Sequence, residues 1–510
     1  MAGVSVFFAF DALPFMDLPA QAGLFALRAR FATSPFEQRF YVFAPHLGGY
    51  SMFRFLGGAL TSAIGPLDAV RALQAAGVVA LPLSVLDARR RLYGRASPDF
   101  GFIAIALGFG LMTAFGFASF LLGMALLLEC TAVGLDLLTK VDAEERTWPL
   151  EVALGVLAML LLLMHGFAFV IFLGVAATAA MVRSGSRSRF VCARALVPAV
   201  ALAVRAAWLE RPSTLPPGSV PAPPPRAGLL FQSLADKLSL LLTPTLLTRT
   251  GIDIAVGLLV WGIAIGGVVS TIGWLKQMGA PSHSREMGRA ERHARSLLAC
   301  LLLLCGAFLI LPHEIGWFGF VDGRLVSVIL VYALIGVPDA AMGRRLGFAL
   351  RWLAPPAACV TVVLALVASH VFQREAAGYR EVFARVPADA RILDLPVDPD
   401  SEVFAGHPFI HYDMLMVAQR PLLVSDVWLH QGSAIFPRPG NPVLRLPADY
   451  RPSDMHRVDW SEFVLQDWDY VLVRTKPEAA PPATPAALRL VEHLGGWWLY
   501  STDLLSHVAG

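Results

Sequence analysis

Residues 149–182 read PLEVALGVLAMLLLLMHGFAFVIFLGVAATAAMV. A helix crosses the hydrocarbon core of a bilayer with about 20 apolar residues, so this run is too long for one pass. His165-Gly166 lies at its middle, a polar ring beside a flexible residue. The run therefore splits into two spans, 149–164 and 167–182, joined by a tight turn at His165. Lipid accepts such a hairpin because each helix satisfies its own backbone polar groups.

The same ruler laid along the chain gives the spans 1–13 (short), 67–88, 99–116, 119–138, 149–164, 167–182, 191–208, 252–274, 297–312, 324–341 and 352–371. The expected fold class is a polytopic α-helical membrane protein of about eleven transmembrane helices, followed by a soluble α/β domain. Composition agrees: of 510 residues, 56% are hydrophobic and only 15% charged, with a mean hydropathy of +0.61. Soluble domains carry about 25% charged residues. A net charge of +3 is too small to point to nucleic acid. Cys130, Cys192, Cys300, Cys305 and Cys359 all lie in apolar runs without metal-ligand or redox spacing, and read as small buried hydrophobes. The opening MAGVSVFFAFDALP lacks the basic start and cleavage site of a secretory signal, so it reads as a shortened first span.

Arginine placement sets the orientation. The loops carrying Arg89, Arg90, Arg91 and Arg95, then Arg183, Arg187 and Arg189, then Lys276 to Arg295, then Arg344, Arg345 and Arg351 fall on one side by span count. That side is assigned to the cytoplasm. Residues 14–66, the turn at His165, the loops 209–251 and 313–323, and everything after residue 371 then lie outside. Within 14–66, residues 17–31 suit an amphipathic helix capped at Asp17, with Pro19 in its first turn. Residues 46–64 are long enough to cross, but a crossing would invert every later basic loop, so this helix is laid in the interface. The run RPSTLPPGSVPAPPPR (211–226) reads as an extended tether. Residues 1–371 thus form the membrane domain and 372–510 an extracytoplasmic α/β domain, with strands expected at Arg391, Pro421, Tyr470 and Trp497.

One short span, a long outer loop with two interfacial helices, then a span ending in basic residues resembles the start of the GT-C membrane glycosyltransferases. That group includes protein O-mannosyltransferases and lipid A aminoarabinose transferases. Asp17-Leu18-Pro19-Ala20-Gln21 is similar to the acidic DLPxH-like signature of bacterial relatives, with Gln21 in place of His. His46-Leu47-Gly48-Gly49-Tyr50 stands where relatives carry a His-Pro-Pro-Leu-Tyr-like motif, with two glycines for the prolines. Phe115 to Gly123 resembles the turn between the third and fourth spans. His165 sits at a turn where such relatives often have His. Leu311-Pro312 followed by Asp322-Gly323-Arg324 resembles their Pro … Asn-x-Arg pattern.

The resemblance implies a transferase of the bacterial inner membrane that takes a sugar from a polyprenyl-phosphate donor and passes it to a glycan, lipid or protein acceptor on the outer face. An outer-loop carboxylate acts as base on the acceptor, which makes Asp17 the catalytic candidate. Membrane lipid is the other expected partner. No resident cofactor or metal site is expected, with a divalent cation left open because some members of the group use one. Asp11, His46, Arg54, His165, His313, Glu314, Asp322 and Arg324 map to the outer face and are the substrate-binding candidates, Arg324 foremost for phosphate. Glu129 and Asp136 read as structural groups facing the bundle. HPFIHYD (407–413) spaces two histidines by four residues, but Pro408 argues against the helix a metal pair would need. The substitutions at Gln21 and Gly48-Gly49 favour one alternative, a non-catalytic relative serving as an assembly partner in envelope glycan synthesis; a lipid or glycan transporter is a second, against which the sequence shows no pair of Gly- or Pro-broken spans in matching halves.

Overall fold

The computed structural model describes all residues except 1, 44–46, 184, 210–215, 221–227, 279–284, 317, 429–433, 448–449, 456, 481–482 and 503–510. In chain order its helical half runs α1 (Ala2–Ser5), α2 (Leu18–Arg30), α3 (Pro35–Phe40), β1 (Tyr41–Phe43), α4 (Ser51–Ile64), α5 (Pro66–Tyr93), α6 (Pro98–Gly108), α7 (Leu111–Ala114), α8 (Ala118–Asp142), α9 (Trp148–Met164), α10 (Gly166–Val182) and α11 (Ser186–Leu209). It continues through β2 (Leu229–Leu230), α12 (Leu234–Leu240), α13 (Gly251–Gln277), α14 (Arg285–Ile310), β3 (Glu314–Ile315), α15 (Val321–Ile335) and α16 (Arg344–Glu375). Six of these, α5, α8, α11, α13, α14 and α16, contain stretches long and apolar enough to cross a membrane, and α6, α9 and α10 are shorter apolar helices. Large apolar side chains such as Leu302, Ile310, Phe348 and Trp352 point outward from α14 and α16. Lipid, not water, is the solvent that suits such a surface. The chain is an integral membrane protein.

Two expected spans differ in form. Among the described residues of 1–13 only Ala2–Ser5 is helical. The backbone beyond it is tied by side chains: Arg71 donates to the Phe10 and Asp11 carbonyls at 2.8 and 2.9 Å, and the Ala12 N–H donates to Gln373 at 2.9 Å. Non-helical backbone at this position is tolerable because protein groups satisfy it. The span expected at 99–116 breaks after Gly108. There Gly110 lies so close to the Pro244 carbonyl that a Cβ would stand 1.7 Å from its oxygen. The His165 hairpin is as expected, with α9 ending and α10 beginning on that residue. The helix expected at 46–64 spans Ser51–Ile64, and Gly65, at φ +84°, separates it from α5. Of the proline-rich run, residues 211–215 and 221–226 lie outside the described residues.

The basic loops meet at one end of the bundle. Arg89 is buried and donates to the Leu334 and Val337 carbonyls and to Asp339. Arg289 donates to the Arg91 carbonyl and to Asp136, and Arg183 pairs with Asp142 and reaches Ser296. Asp136 and Glu129, the latter 3.7 Å from Arg91, are therefore structural partners of these arginines. Of the cysteines, Cys130, Cys192 and Cys300 are buried as expected, whereas Cys305 is half-buried and Cys359 exposed on the outward surface of α16.

The C-terminal unit comprises α17 (Tyr379–Ala384), β4 (Arg391–Pro396), α18 (Met414–Gln419), β5 (Leu423–Val424), β6 (Ile435–Pro437), β7 (Tyr470–Arg474), β8 (Leu488–Leu494) and β9 (Trp497–Thr502). Its sheet has the order β5-β4-β7-β9-β8. β4 is parallel to β5 and β7, and β9 is antiparallel to β7 and β8. All four expected strands are present; β8 is the addition to this sheet, and β6 is a further unexpected strand outside it. This unit is seated on the segment between α1 and α5. β6 pairs antiparallel with β1, α18 packs on α2, and the Tyr412 hydroxyl donates to the Leu13 carbonyl at 3.0 Å. The 209–251 loop joins it through the Val220 N–H to the Pro437 carbonyl and the Arg249 N–H to the Val403 carbonyl, both at 2.9 Å.

Candidate active site

Asp17 precedes α2, but its side chain does not cap the helix. Two features of the sequence explain why. Pro19 removes one of the N–H groups a cap would accept. The backbone before the helix is also pinned elsewhere: the Met16 and Asp17 N–H groups donate to the Ala114 and Phe115 carbonyls, each at 3.1 Å. Gly116 makes that docking possible. It sits at φ +71°, and a Cβ there would stand 2.9 Å from the Leu18 nitrogen and 3.0 Å from that of Asp17. Gln21 locks the junction by donating to the Gly116 carbonyl at 3.0 Å. The expected amphipathic surface helix is instead buried along most of its length, from Leu18 to Leu27, by α4, α5 and α18.

The carboxylate released by this arrangement faces a cavity of about 580 Å³. Burial raises the Asp17 carboxyl to about 7, against the lowering pull of His411 and Arg324. Arg324 enters from the first turn of α15. Its guanidinium lies 4.2 Å from the Phe117 ring centre and 4.1 Å from that of Phe318, and its Nε and Nη1 have no hydrogen-bond partner among the described residues. His165 uses Nδ1 to accept the Ala168 N–H at 3.3 Å, so it caps α10. With Nδ1 an acceptor, the proton of the neutral ring sits on Nε2, which faces the Tyr50 hydroxyl at 3.3 Å. Arg54, His313 and Glu314 also line the cavity.

Three other candidates fare differently. Asp322 is fully buried behind the wall, where it holds His313 Nδ1 at 2.7 Å and pairs with Lys237 at 3.3 Å. Asp11 is exposed and paired with Arg380 at 3.1 Å, away from the cavity. His46 lies outside the described residues. Sequence reasoning left out the C-terminal contribution: His407, Ile410, His411, Trp428 and Arg451 line the same cavity. The HPFIHYD segment carried the only local signal, as a metal motif. Its residues 408–413 are a turn, His407 pairs with Asp400 at 2.6 Å, and His411 is hydrogen-bonded to Asp426. Among the described residues no group of three or more His, Cys, Asp or Glu side chains is arranged to hold a metal ion.

A helical membrane bundle in which the segment between α1 and α5 and the C-terminal unit close over one cavity is the fold expected from the resemblance to the GT-C glycosyltransferases. A solved structure with which the chain shares this fold is the single-particle cryo-EM structure of arabinofuranosyltransferase AftD from Mycobacteria. The TM-score is 0.50 at 16% identity, over 98% of this chain and 39% of that one. The chain thus spans about two fifths of the protein it resembles, and at that identity the likeness is one of fold. No protein-family model matches the sequence, and no curated protein does.

Proposed function

We propose that the chain is a membrane glycosyltransferase that moves a sugar from a polyprenyl-phosphate donor to an acceptor hydroxyl on the outer face of a bacterial inner membrane. Eleven passes, the first one short, leave the C-terminal unit, the 209–251 loop and the cavity outside, with α4 lying along the surface. Residues 1–371 bind the lipid-linked donor, and 372–510 roof the site.

The observation that carries this reading is the Asp17 carboxylate, buried at the cavity wall and not used as a helix cap. In the reaction Asp17 accepts the proton of the acceptor hydroxyl as its oxygen attacks the anomeric carbon. The bond from that carbon to the phosphate oxygen breaks, the polyprenyl phosphate departs with the electron pair, and the centre inverts. Arg324, with two donor nitrogens unspent, meets the charge growing on the phosphate. Arg54 and His313 stand as further donors on the same wall, and Phe117, Phe318 and Phe320 offer an apolar surface to the first prenyl units.

The test is transfer from polyprenyl-phosphate sugars in proteoliposomes. A base at about 7 makes the rate of the native protein rise as pH passes upward through neutrality. Asp17→Asn keeps the shape and loses the proton acceptor, so transfer falls by about 10²–10⁴ while the protein stays folded. Native-rate transfer by Asp17→Asn overturns its role as base. Absence of transfer by the native protein across a broad donor panel overturns the transferase reading.

A further inference from the structure

His411 lies in the turn before α18, on the far side of the chain from Asp17 in sequence, yet its Nε2 is 3.8 Å from Asp17 Oδ1. Its Nδ1 is hydrogen-bonded to the Asp426 carboxylate, and the Trp428 ring stands edge-on to it, centres 5.2 Å apart. His411 is only 6% exposed. The order carboxylate, imidazole, carboxylate therefore runs from the C-terminal unit to the cavity wall.

We propose that His411, charged and oriented by Asp426, is the positioning residue that keeps the Asp17 carboxylate ionised, so that the base is complete only when the C-terminal unit is seated. This rests on the reading of Asp17 as the base. The two units supply the parts separately: α2 and the Phe115–Gly116 turn hold Asp17, and the segments around α18 and β5 hold His411 and Asp426.

The electrostatics of the neighbourhood support the assignment. Burial opposes a charge on His411, but the charge and hydrogen bond of Asp426, with Asp17 beyond, outweigh it and raise the ring to about 9. His411 is then an imidazolium at neutral pH. Two more carboxyls lie behind it, Asp394 and Asp413. Burial holds both well above the usual carboxylate range, with repulsion from Asp413 and Asp426 added at Asp394 and from Asp426 at Asp413, and Asp413 adds its own pull toward a charged His411. On the other side Asp17 faces Arg324 of α15, and the Tyr50 hydroxyl at the start of α4 stays protonated because burial raises it. Of the two cations that lower Asp17, His411 is the one whose charge depends on a partner, Asp426.

The test titrates Asp17 itself. In infrared difference spectra of the full-length protein in nanodiscs, the protonated-carboxyl band missing from Asp17→Asn reports its midpoint. In His411→Gln the midpoint moves up; in Asp426→Asn, which leaves the imidazole in place with a weaker partner, it moves up less, because the repulsion that Asp426 exerts on Asp17 is lost as well. A nearby opposite charge is worth about 1–3 pKa units, so His411→Gln shifts it by about one unit or more, and the acid limb of the pH–rate profile follows. An unmoved midpoint in both variants overturns the proposal. Transfer lowered equally at every pH with the limb unmoved also overturns it, in favour of a purely structural His411. A native protein with no transferase activity whose Asp17 midpoint still shifts in the variants sinks the transferase reading alone and leaves the coupling standing.

Discussion

Arg324 sits between two aromatic faces, so its position is set by rings and not by a carboxylate partner. A guanidinium held this way keeps its donors for a ligand. Arg324→Gln keeps an amide donor but loses the fixed charge and the forked geometry. Charge-assisted hydrogen bonds are worth about 1.5–3 kcal/mol, so kcat/KM for the lipid-phosphate donor falls by about tenfold or more, with KM raised by the lost ground-state contact and kcat lowered because the contact tightens as the phosphate gains charge. Steady-state transfer kinetics at saturating acceptor would read this, and an unchanged KM would remove Arg324 from donor binding. At this scale the sequence was readable where a residue broke a pattern. His165 interrupts an apolar run, and Asp17 and Arg324 stand at the ends of apolar segments. Asp11 breaks its run as visibly as Asp17 does. Arg380 draws it outward, and no local pattern in the sequence announces that partner.

Between elements, the decisive contact is α2 on α18. Gly23 lies against Met414, where a Cβ would stand 2.6 Å from Cε and 2.8 Å from the backbone oxygen. Backbone cannot yield as a flexible side chain can. Gly23→Val therefore lifts α18, and with it His411 three residues before Met414, away from Asp17. Overpacking of this kind costs about 1–3 kcal/mol. The variant should melt lower in detergent and lose most transfer activity even below its melting temperature. Gly58→Ala on α4 is the control, since a Cβ there meets nothing within 4 Å, and it should change neither. Equal melting of Gly23→Val and the native protein would mean that the two units are not held together here. The helices themselves were legible as apolar runs, because a run of apolar residues is a local property. Their breaks were less so. Gly110 looks like any glycine in an apolar segment until the Pro244 carbonyl is found against it.

At the scale of the whole molecule, topology follows from which ends meet. The basic loops clasp one another through Arg89, Arg183 and Arg289, while the 209–251 loop bonds to the C-terminal unit. Single cysteines placed in a background stripped of the native five would locate both ends. Ser219→Cys and Ala479→Cys should react with an impermeant maleimide on intact cells, and Ser97→Cys only after permeabilisation. Reaction of all three from outside would overturn the orientation.

The sequence by itself determined that the chain lives in lipid, where most of its helices lie, that a sheet follows them, and that the segments between the expected spans carry acids and an arginine. These are properties of short windows: hydropathy over about 20 residues, alternation in strands, the charge of a loop. Only the tertiary structure decided which polar groups share a cavity. Asp17 meets His411 across almost the whole chain, through β1 on β6 and α2 on α18, and the signals for those contacts are a three-residue strand pair and one glycine. Such pairings depend on how surfaces fit after the bundle has formed. No period in either segment encodes them, so the half of the site contributed by the C-terminal unit could be read only from the folded chain.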